Sequence, residues 1–253
     1  MVLRDTTQSV QIGAGAIAII EFLSLGVLSM CGRFSIAGFA GLEERFQLKI
    51  DFPDLKPNYN VAPSQDVPVI RNRGANQLAF FKWGLIPFWA KDPSIGHKLI
   101  NARAETVDEK PSFKHCLQRK RCLIVADGFY EWKKEGSTKR PYRITLKSQE
   151  FFGFAGLWDT WESPTGEFVN SCTIITTTPN ELMEPLHNRM PVILPRDVES
   201  VWLDQSIVDS VFLKSLLVPY PADLMIAYEV SPFVNSVKHN GPECMVAVGE
   251  RLF

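Results

Sequence analysis

Short strand-like runs constrain the fold of this chain more than any other feature. Each run is apolar or alternates between apolar and polar residues, as β-strands do. The predicted strands are Val67–Ile70, Leu78–Trp83, Cys122–Ala126, Tyr142–Leu146, Phe151–Leu157, Val169–Thr177 and Pro191–Leu194. Because they do not alternate regularly with helical segments, we predict an α+β fold, a single domain with a strand-rich and mainly antiparallel core, rather than a doubly wound sheet.

Helical patterns are fewer and shorter than the strand-like runs. The predicted helices are Leu42–Leu48, Ser112–Gln118, Val198–Leu203 and Ile207–Leu217. Asp197 and Ser206 precede the last two and are predicted to be their N-caps, because their side chains can accept hydrogen bonds from free backbone amides.

The apolar segment from Val10 to Met30 has three interpretations. A membrane span needs about 20 uninterrupted apolar residues, and Glu21 interrupts this segment. A signal peptide needs a basic start and a small-residue cleavage site, whereas Arg4 is offset by Asp5. We therefore predict that residues 1–29 are an N-terminal extension, either a leader or a misassigned start, and that residues 30–253 form the domain.

Charge and cysteine content restrict partners and compartment. The net charge is −1, but the segment 110–143 holds ten Lys and Arg against three Asp and Glu. Such a segment can form a local phosphate-binding face or simply a solvated basic surface. The five cysteines include no CxxC pair, which favours a reducing cytoplasmic compartment. No cysteine spacing matches a common zinc module, so no metal and no cofactor are expected.

The motif MCGRF carries distinctive chemistry if Met30 is removed. Cys31 would then hold a thiol and a free α-amine on adjacent carbons. Their ordinary pKa values, about 8.5 and about 7.7–8.0, leave both groups partly unprotonated near neutral pH. The amine can condense with an aldehyde, and the thiol can then close a thiazolidine ring on the same carbon. An inert cysteine beside a start codon is the alternative.

Further polar residues are candidates for acid–base chemistry or positioning. Glu131 lies between aromatic residues in FYEWKK, where desolvation would raise its pKa and suit it to proton transfer. His187 in PLHNRMP is a candidate acid or base. In LINARAET, an extended segment would place Asn101, Arg103 and Glu105 on one face, where Asn101 could orient a nucleophile and Arg103 could hold a phosphate. An outward-facing glutamate, a loop histidine and a polar sheet edge are the alternatives.

Aromatic residues in FKWGLIPFWA could bind unpaired bases. Exposed rings such as Trp83, Phe88 and Trp89 would stack on the bases of a single strand. Core packing is the alternative for each of them.

In this order and combination, the motifs resemble the SRAP family, the SOS response-associated peptidases, which include abasic-site processing and hydroxymethylcytosine-binding proteins. The matching stretches are MCGRF, YNVAP, WGLIP, INARAET, ADGFYEWKK, HNRMP and VNSVKHNG. They extend from Met30 to about Gly241, nearly the whole chain after the extension. The family fold is a single α+β domain, which agrees with the strand pattern.

The resemblance implies a role for each matching residue. Cys31 is the implied nucleophile, Asn101 positions it, and Glu131 and His187 are the implied acid–base pair. The implied phosphate-contacting or site-lining residues are Arg33, Arg103 and Arg189. The residues implied in the single-strand binding surface are Asn60, Pro63 and Trp83.

The resemblance also implies an activity and a partner. We expect a cytoplasmic monomer, nucleoid-associated on DNA damage and independent of membranes, that binds single-stranded DNA containing abasic sites. Cys31, exposed by autocatalysis or an aminopeptidase, would form a covalent thiazolidine cross-link to the DNA. Two other classes stay open. One is a cysteine-type peptidase acting in trans through Cys31 and His187. The other is a non-covalent binder of single-stranded or modified-base DNA.

Overall fold

A computed structural model describes residues 31–48 and 55–252. The predictions for residues 1–29 lie outside the described residues. Within the described part of the chain, no helix combines the length and apolar character that crossing a membrane requires.

Strands dominate the described residues. They are β1 (Phe34–Ile36), β2 (Asn58–Val61), β3 (Asp66–Asn72), β4 (Asn76–Trp83), β5 (Asn101–Arg103), β6 (Arg121–Ala126), β7 (Gly128–Glu135), β8 (Thr138–Leu146), β9 (Phe152–Glu162), β10 (Phe168–Thr177), β11 (Met190–Pro191), β12 (Met225–Val230) and β13 (Ala247–Leu252). Five of the predicted strands lie within this set, and a sixth, Phe151–Leu157, begins one residue before β9. The run Pro191–Leu194 is strand only in part: it contributes one residue to β11 and an isolated bridge from Ile193 to Phe154.

The helices are short. The α-helices are α1 (Leu42–Phe46), α2 (Lys114–Arg119), α3 (Arg196–Leu203) and α4 (Ser210–Ser215), and the 3₁₀ helices are Pro93–Lys98, Ala104–Thr106, Ala222–Leu224, Pro232–Asn235 and Pro242–Met245. The predicted strand-rich α+β fold is therefore confirmed.

Both predicted N-caps are wrong. Helix α3 starts after Pro195, so Asp197 lies inside its first turn, where a carboxylate still favours the positive end of the helix dipole. Helix α4 is capped by Asp209, whose side chain accepts from the amides of Val211 and Phe212. Ser206 lies in the preceding turn, where its amide donates to Asp204.

The strands form two sheets. The first has the order β13-β12-β8-β7-β1-β2 with antiparallel neighbours, and the second has the order β11-β10-β4-β3-β6-β9. Strand β10 also pairs with β9, so the second sheet closes on itself as a barrel. Only β4 and β5 run parallel to β10 among the pairings described.

Aromatic packing joins the two sheets. The ring of Phe34 on β1 lies 5.2 Å from that of Trp83 on β4 and 5.8 Å from that of Phe154 on β9, between ring centroids. Large tilted rings bury much apolar surface and fix the angle between elements. This contact holds β1, and Cys31 just before it, against the second sheet.

Candidate functional site

The buried centre of the site is the pair Cys31 and Glu131. Both residues are 3% exposed, and the backbone nitrogen of Cys31 donates to Oε1 of Glu131 at 2.7 Å. Glu131 is on β7, next to β1 in the first sheet. The Glu131 carboxylate also acts on the Cys31 thiol and raises its pKa by charge and by hydrogen bonding. One carboxylate therefore influences both the nitrogen and the sulfur of the same residue.

Burial sets the protonation of this pair. It raises the pKa of Glu131 to about 7, although the hydrogen bonds from Cys31 counteract part of the rise. Burial, followed by repulsion from Glu131, raises the pKa of the Cys31 thiol well above its usual value. The thiol is thus protonated at neutral pH and needs a base, and a carboxyl group titrating near neutrality is suited to that role.

Strand β5 carries Asn101 and Arg103. It runs parallel to β10, with Asn101 opposite Ile174 and Arg103 opposite Thr176. Asn101 and Arg103 share one face, as predicted, since Ala102 between them is buried. The strand ends at Arg103, and Glu105 lies in a 3₁₀ helix. The prediction that Glu105 extends the same strand face is therefore wrong.

Arg189 interacts with both Glu105 and Cys31. Its guanidinium contacts both carboxylate oxygens of Glu105 at 2.5 and 2.9 Å and donates to the carbonyl of Thr176 at 2.7 Å. Its positive charge also lowers the pKa of the Cys31 thiol, against the larger effect of burial. Hydrogen bonding to Arg189 in turn lowers the pKa of Glu105. Local sequence patterns do not predict this pairing, which joins residues far apart in the chain.

His187 is half-buried on the same segment as Arg189. Its Nδ1 accepts a hydrogen bond from the backbone amide of Arg189 at 3.2 Å. An accepting Nδ1 leaves the proton of the neutral ring on Nε2. Burial lowers the pKa of His187, so the ring is neutral at pH 7 and can donate or accept a proton.

Asn60 has a different place from the one expected. It is 1% exposed, and its carboxamide accepts from Arg33 at 2.7 Å. Its Nδ2 donates to the carbonyls of Ser236 and His239, both at 2.9 Å. Because the side chain is enclosed and fully bonded, Asn60 holds Arg33 and the segment 234–239 in place instead of offering a surface to DNA.

Trp83 also differs from expectation. It is 1% exposed, and its Nε1 donates to the carbonyl of Ile100 at 2.9 Å. The expectation that Trp83 offers an exposed ring to a base is wrong, because its face of β4 lies between the two sheets. Phe88 and Trp89, in contrast, are 59% and 46% exposed. Pro63 is partly exposed.

The loop that carries Phe88 and Trp89 is rigidly anchored. At its base, a Cβ on Gly84 would lie 2.7 Å from the carbonyl oxygen of Gly96, so the close approach requires glycine. At its tip, the amide of Phe88 donates to Asp159, and the indole of Trp161 donates to the carbonyl of Ala90. Hydrogen bonds and the close Gly84–Gly96 approach therefore anchor the backbone that carries the exposed rings of Phe88 and Trp89.

Metal-binding candidates are absent from the described residues. No group of three or more His, Cys, Asp or Glu side chains there could hold a metal ion. Cys116 and Cys122, beside His115, are buried free thiols.

Comparisons with known proteins agree with the motifs and the fold. The family model for "SOS response associated peptidase (SRAP)" matches residues 30–237. The abasic site processing protein YoqW of Bacillus subtilis is 53% identical over 219 residues, which are 85% of this chain and 98% of that protein. The abasic site processing protein HMCES of Xenopus tropicalis is 34% identical over 231 residues, 78% of this chain and 68% of that protein.

A solved structure extends the comparison to the fold. The crystal structure of a Bacteroides thetaiotaomicron protein superposes with a TM-score of 0.80 at 32% identity, covering 86% of this chain and all of that one. The family match covers every candidate site residue from Cys31 to Arg189. The chain therefore belongs to the SOS response associated peptidase family.

Proposed function

We propose that this protein processes abasic sites in single-stranded DNA by forming a covalent thiazolidine cross-link through Cys31 as the N-terminal residue. One observation carries the proposal: the backbone nitrogen of Cys31 donates to the buried carboxylate of Glu131 at 2.7 Å, and the same carboxylate acts on the pKa of the Cys31 sulfur. An aldehyde needs both nucleophiles on one carbon to be captured as a ring. The abasic site processing names of the bacterial and vertebrate relatives support the same substrate.

The chemistry balances with the groups present. The open-chain aldehyde of an abasic site reacts with the Cys31 amine, and a Schiff base forms with loss of water. The thiol then adds to the imine carbon, and its proton is transferred to the imine nitrogen. Glu131 accepts and returns these protons, and neutral His187 exchanges a proton with the sugar oxygen during ring opening. Asn101 orients Cys31 and its adduct.

The exposed residues are suited to binding the single-stranded DNA. Arg33, Arg103 and Arg189 supply charge for the phosphates. The fixed rings of Phe88 and Trp89, with partly exposed Pro63, supply apolar surface on which unpaired bases stack. Stacking tolerates any base, which suits a protein that must find a lesion in any sequence.

The proposal requires a free amine on Cys31. While residue 30 is attached, that nitrogen is an amide with a delocalised lone pair and is not nucleophilic. Cys31 also has a φ of +46°, a left-handed conformation that is uncommon for residues other than glycine. Cleavage of the Met30–Cys31 bond, by autocatalysis or by an aminopeptidase, removes this constraint and frees the nitrogen beside Glu131.

The test is a cross-linking assay on protein whose N-terminus is known. The chain is expressed from Met30, and intact mass confirms that Cys31 is terminal. It is then mixed with a single-stranded oligonucleotide containing one abasic site. We expect a species that survives denaturing electrophoresis, with the summed mass less one water, and its complete loss in Cys31→Ala. No adduct from protein with a free Cys31 amine would refute the proposal.

The same assay separates the other two classes. A peptidase acting in trans would cleave peptides, but the raised pKa of the Cys31 thiol and its pairing with a carboxylate do not favour a thiolate nucleophile. A non-covalent binder would retain salt-sensitive DNA binding in Cys31→Ala and leave no adduct in the wild type.

A further inference from the structure

Asp127 is hydrogen-bonded to β1, the strand that follows Cys31. Its Oδ1 accepts from the hydroxyl of Ser35 at 2.6 Å, and its Oδ2 accepts from the amide of Ala37 at 2.5 Å. Its own amide donates to the carbonyl of Ser35 at 3.0 Å. Three hydrogen bonds thus attach one residue, just before β7, to residues 35–37 of the chain.

Arg143 on β8 forms an ion pair with Asp127. Its Nη2 contacts Oδ1 of Asp127 at 2.8 Å, and its Nη1 donates to the hydroxyl of Tyr228 at 3.0 Å. The guanidinium is buried against Gly128, where a Cβ would lie 2.6 Å from Cζ. A buried charge that loses its partner is costly, so Asp127 and Arg143 hold each other in one arrangement.

The backbone pairing of β1 with its neighbours is short, so side-chain contacts help to fix its register. Its residue pairs with β7 are Phe34–Phe129 and Ser35–Gly128, and the Tyr130 amide adds one backbone hydrogen bond to the Arg33 carbonyl at 3.0 Å. On the other side its pairing with β2 is irregular between Phe34 and Ile36. Cys31 lies three residues before β1, and once it is N-terminal no chain upstream of it can hold it in place.

A change of register would separate Cys31 from Glu131. A one-residue slip would place Ser35 on the core face that Phe34 and Ile36 occupy, and their hydrophobicity opposes it. A two-residue slip keeps an apolar side chain on that face, yet moves the strand by about 7 Å at 3.3–3.4 Å per residue. That slip would put Ala37 in place of Ser35, without a hydroxyl for Asp127.

We propose that Asp127, supported by Arg143, sets the register of β1 and thereby positions Cys31 against Glu131. Asp127 and Arg143 are positioning residues, since neither contacts the reacting atoms in this arrangement. The inference deepens the proposed function and rests on it for its consequence in cross-linking. Its structural content, the placement of Cys31, can be measured without DNA.

Two substitutions test this arrangement. Ser35→Ala removes the hydroxyl that Oδ1 of Asp127 accepts from, and Gly128→Ala pushes a methyl group against the Arg143 guanidinium. Asp127→Asn is the strongest change, but it leaves Arg143 buried without a counter-charge. Thr145→Val is the matched control, because the Thr145 hydroxyl donates to the Asp127 carbonyl at 2.8 Å and is buried within β8.

The first readout is alkylation of Cys31 by iodoacetamide, followed by peptide mass mapping across a pH series. In the wild type, burial and the Glu131 carboxylate suppress the thiolate. In Ser35→Ala and Gly128→Ala we expect Cys31 to react roughly tenfold faster, with a lower pH midpoint. Thr145→Val should match the wild type. A purely structural role would leave the midpoint unchanged in variants that melt at the wild-type temperature.

The second readout is cross-linking to the abasic oligonucleotide. We expect the rate at saturating DNA to fall roughly tenfold to a hundredfold in the two variants, since a displacement of about 1 Å can have an effect of that size. Half-saturating DNA concentration should change little. If both folded variants keep the wild-type alkylation midpoint and cross-linking rate, the inference is overturned. If the wild type itself forms no adduct, the proposed function fails, and the alkylation series alone decides the register inference.

Discussion

The two parts of the site differ most in their contact with water. Cys31 and Glu131 are enclosed between the sheets, whereas Arg103 and Glu105 face solvent, as do Phe88 and Trp89 on their separate loop. In the enclosed part, desolvation outweighs every other influence on the pKa of both residues. In the open part, the one shifted carboxyl, Glu105, has its pKa lowered by hydrogen bonding to Arg189.

This difference separates chemistry from binding. Removing water makes a carboxyl group a base at neutral pH and strengthens each interaction with it. Exposed charges and rings remain hydrated and screened by salt, so they contribute affinity without perturbing the nucleophile. Substitutions in the enclosed part should therefore change the rate of cross-linking, and those in the open part should change the affinity for DNA.

The largest effect is expected from Glu131→Gln. Glutamine keeps an acceptor near the Cys31 nitrogen but cannot take up a proton, so cross-linking at saturating DNA should slow by about 10²–10⁴-fold. Single-turnover kinetics on abasic single-stranded DNA would measure the change, and affinity for undamaged DNA should stay the same. Glu199→Gln is a matched control, because Glu199 is also buried but pairs with Arg45 at 2.8 Å. An unchanged rate in Glu131→Gln would remove the carboxylate from the mechanism.

The pH dependence tests the same carboxylate in the wild type. Burial raises the pKa of Glu131 to about 7, so the base form is lost as the pH falls through that value. Loss of the Glu131 base alone should lower the cross-linking rate about tenfold per pH unit below 7, roughly a hundredfold by pH 5. Protonation of the terminal amine, whose ordinary pKa is about 7.7–8.0, should lower the wild-type rate by a further factor of about ten per pH unit. Glu131→Gln should keep only the amine limb, and identical profiles for the two proteins would contradict the assignment.

Local sequence patterns predicted the enclosed part well. Six strands and the desolvation of Glu131 followed from alternation, since FYEW places Glu131 among aromatic neighbours. Trp83 and Asn60 were misplaced, because their exposure depends on which faces of β4 and β2 are covered. That covering comes from packing between sheets, and short motifs contain no signal for it.

Long-range pairs explain the rest of what sequence reasoning missed. Arg189 and Glu105 are 84 positions apart, and Ser35 and Asp127 are 92 apart. Opposite charges within two of the recognised motifs offered a hint of the first pair. Nothing local signals the second, because Asp127 follows a buried strand in the same way as many turn residues do.

An intermediate effect is expected from the exposed rings. Phe88→Ala and Trp89→Ala should each weaken binding to single-stranded DNA by about 1–3 kcal/mol per base unstacked, roughly 5- to 150-fold. Fluorescence anisotropy with a labelled oligonucleotide would show it, while the rate at saturating DNA stays constant. If these variants cross-link more slowly but bind DNA with unchanged affinity, the assignment of binding to the exposed residues and chemistry to the enclosed ones is wrong.

The smallest effect, and one of opposite sign, is expected from Glu105→Gln. The Glu105 carboxylate neutralises Arg189 in the free protein, and a phosphate must compete with it for the guanidinium. The Glu105 side chain is 48% exposed and the Arg189 side chain 12% exposed. Pairs with one exposed partner at the surface are worth about 0–1 kcal/mol, so removing the charge should tighten DNA binding by no more than about fivefold. The bond from Arg189 to the Thr176 carbonyl would still orient the guanidinium. Anisotropy at several salt concentrations measures both the affinity and the salt slope, which should steepen by about 0.7 if Arg189 gains one phosphate. Weaker binding with a shallower slope would mean that Glu105 holds Arg189 in position for the DNA instead of competing with it.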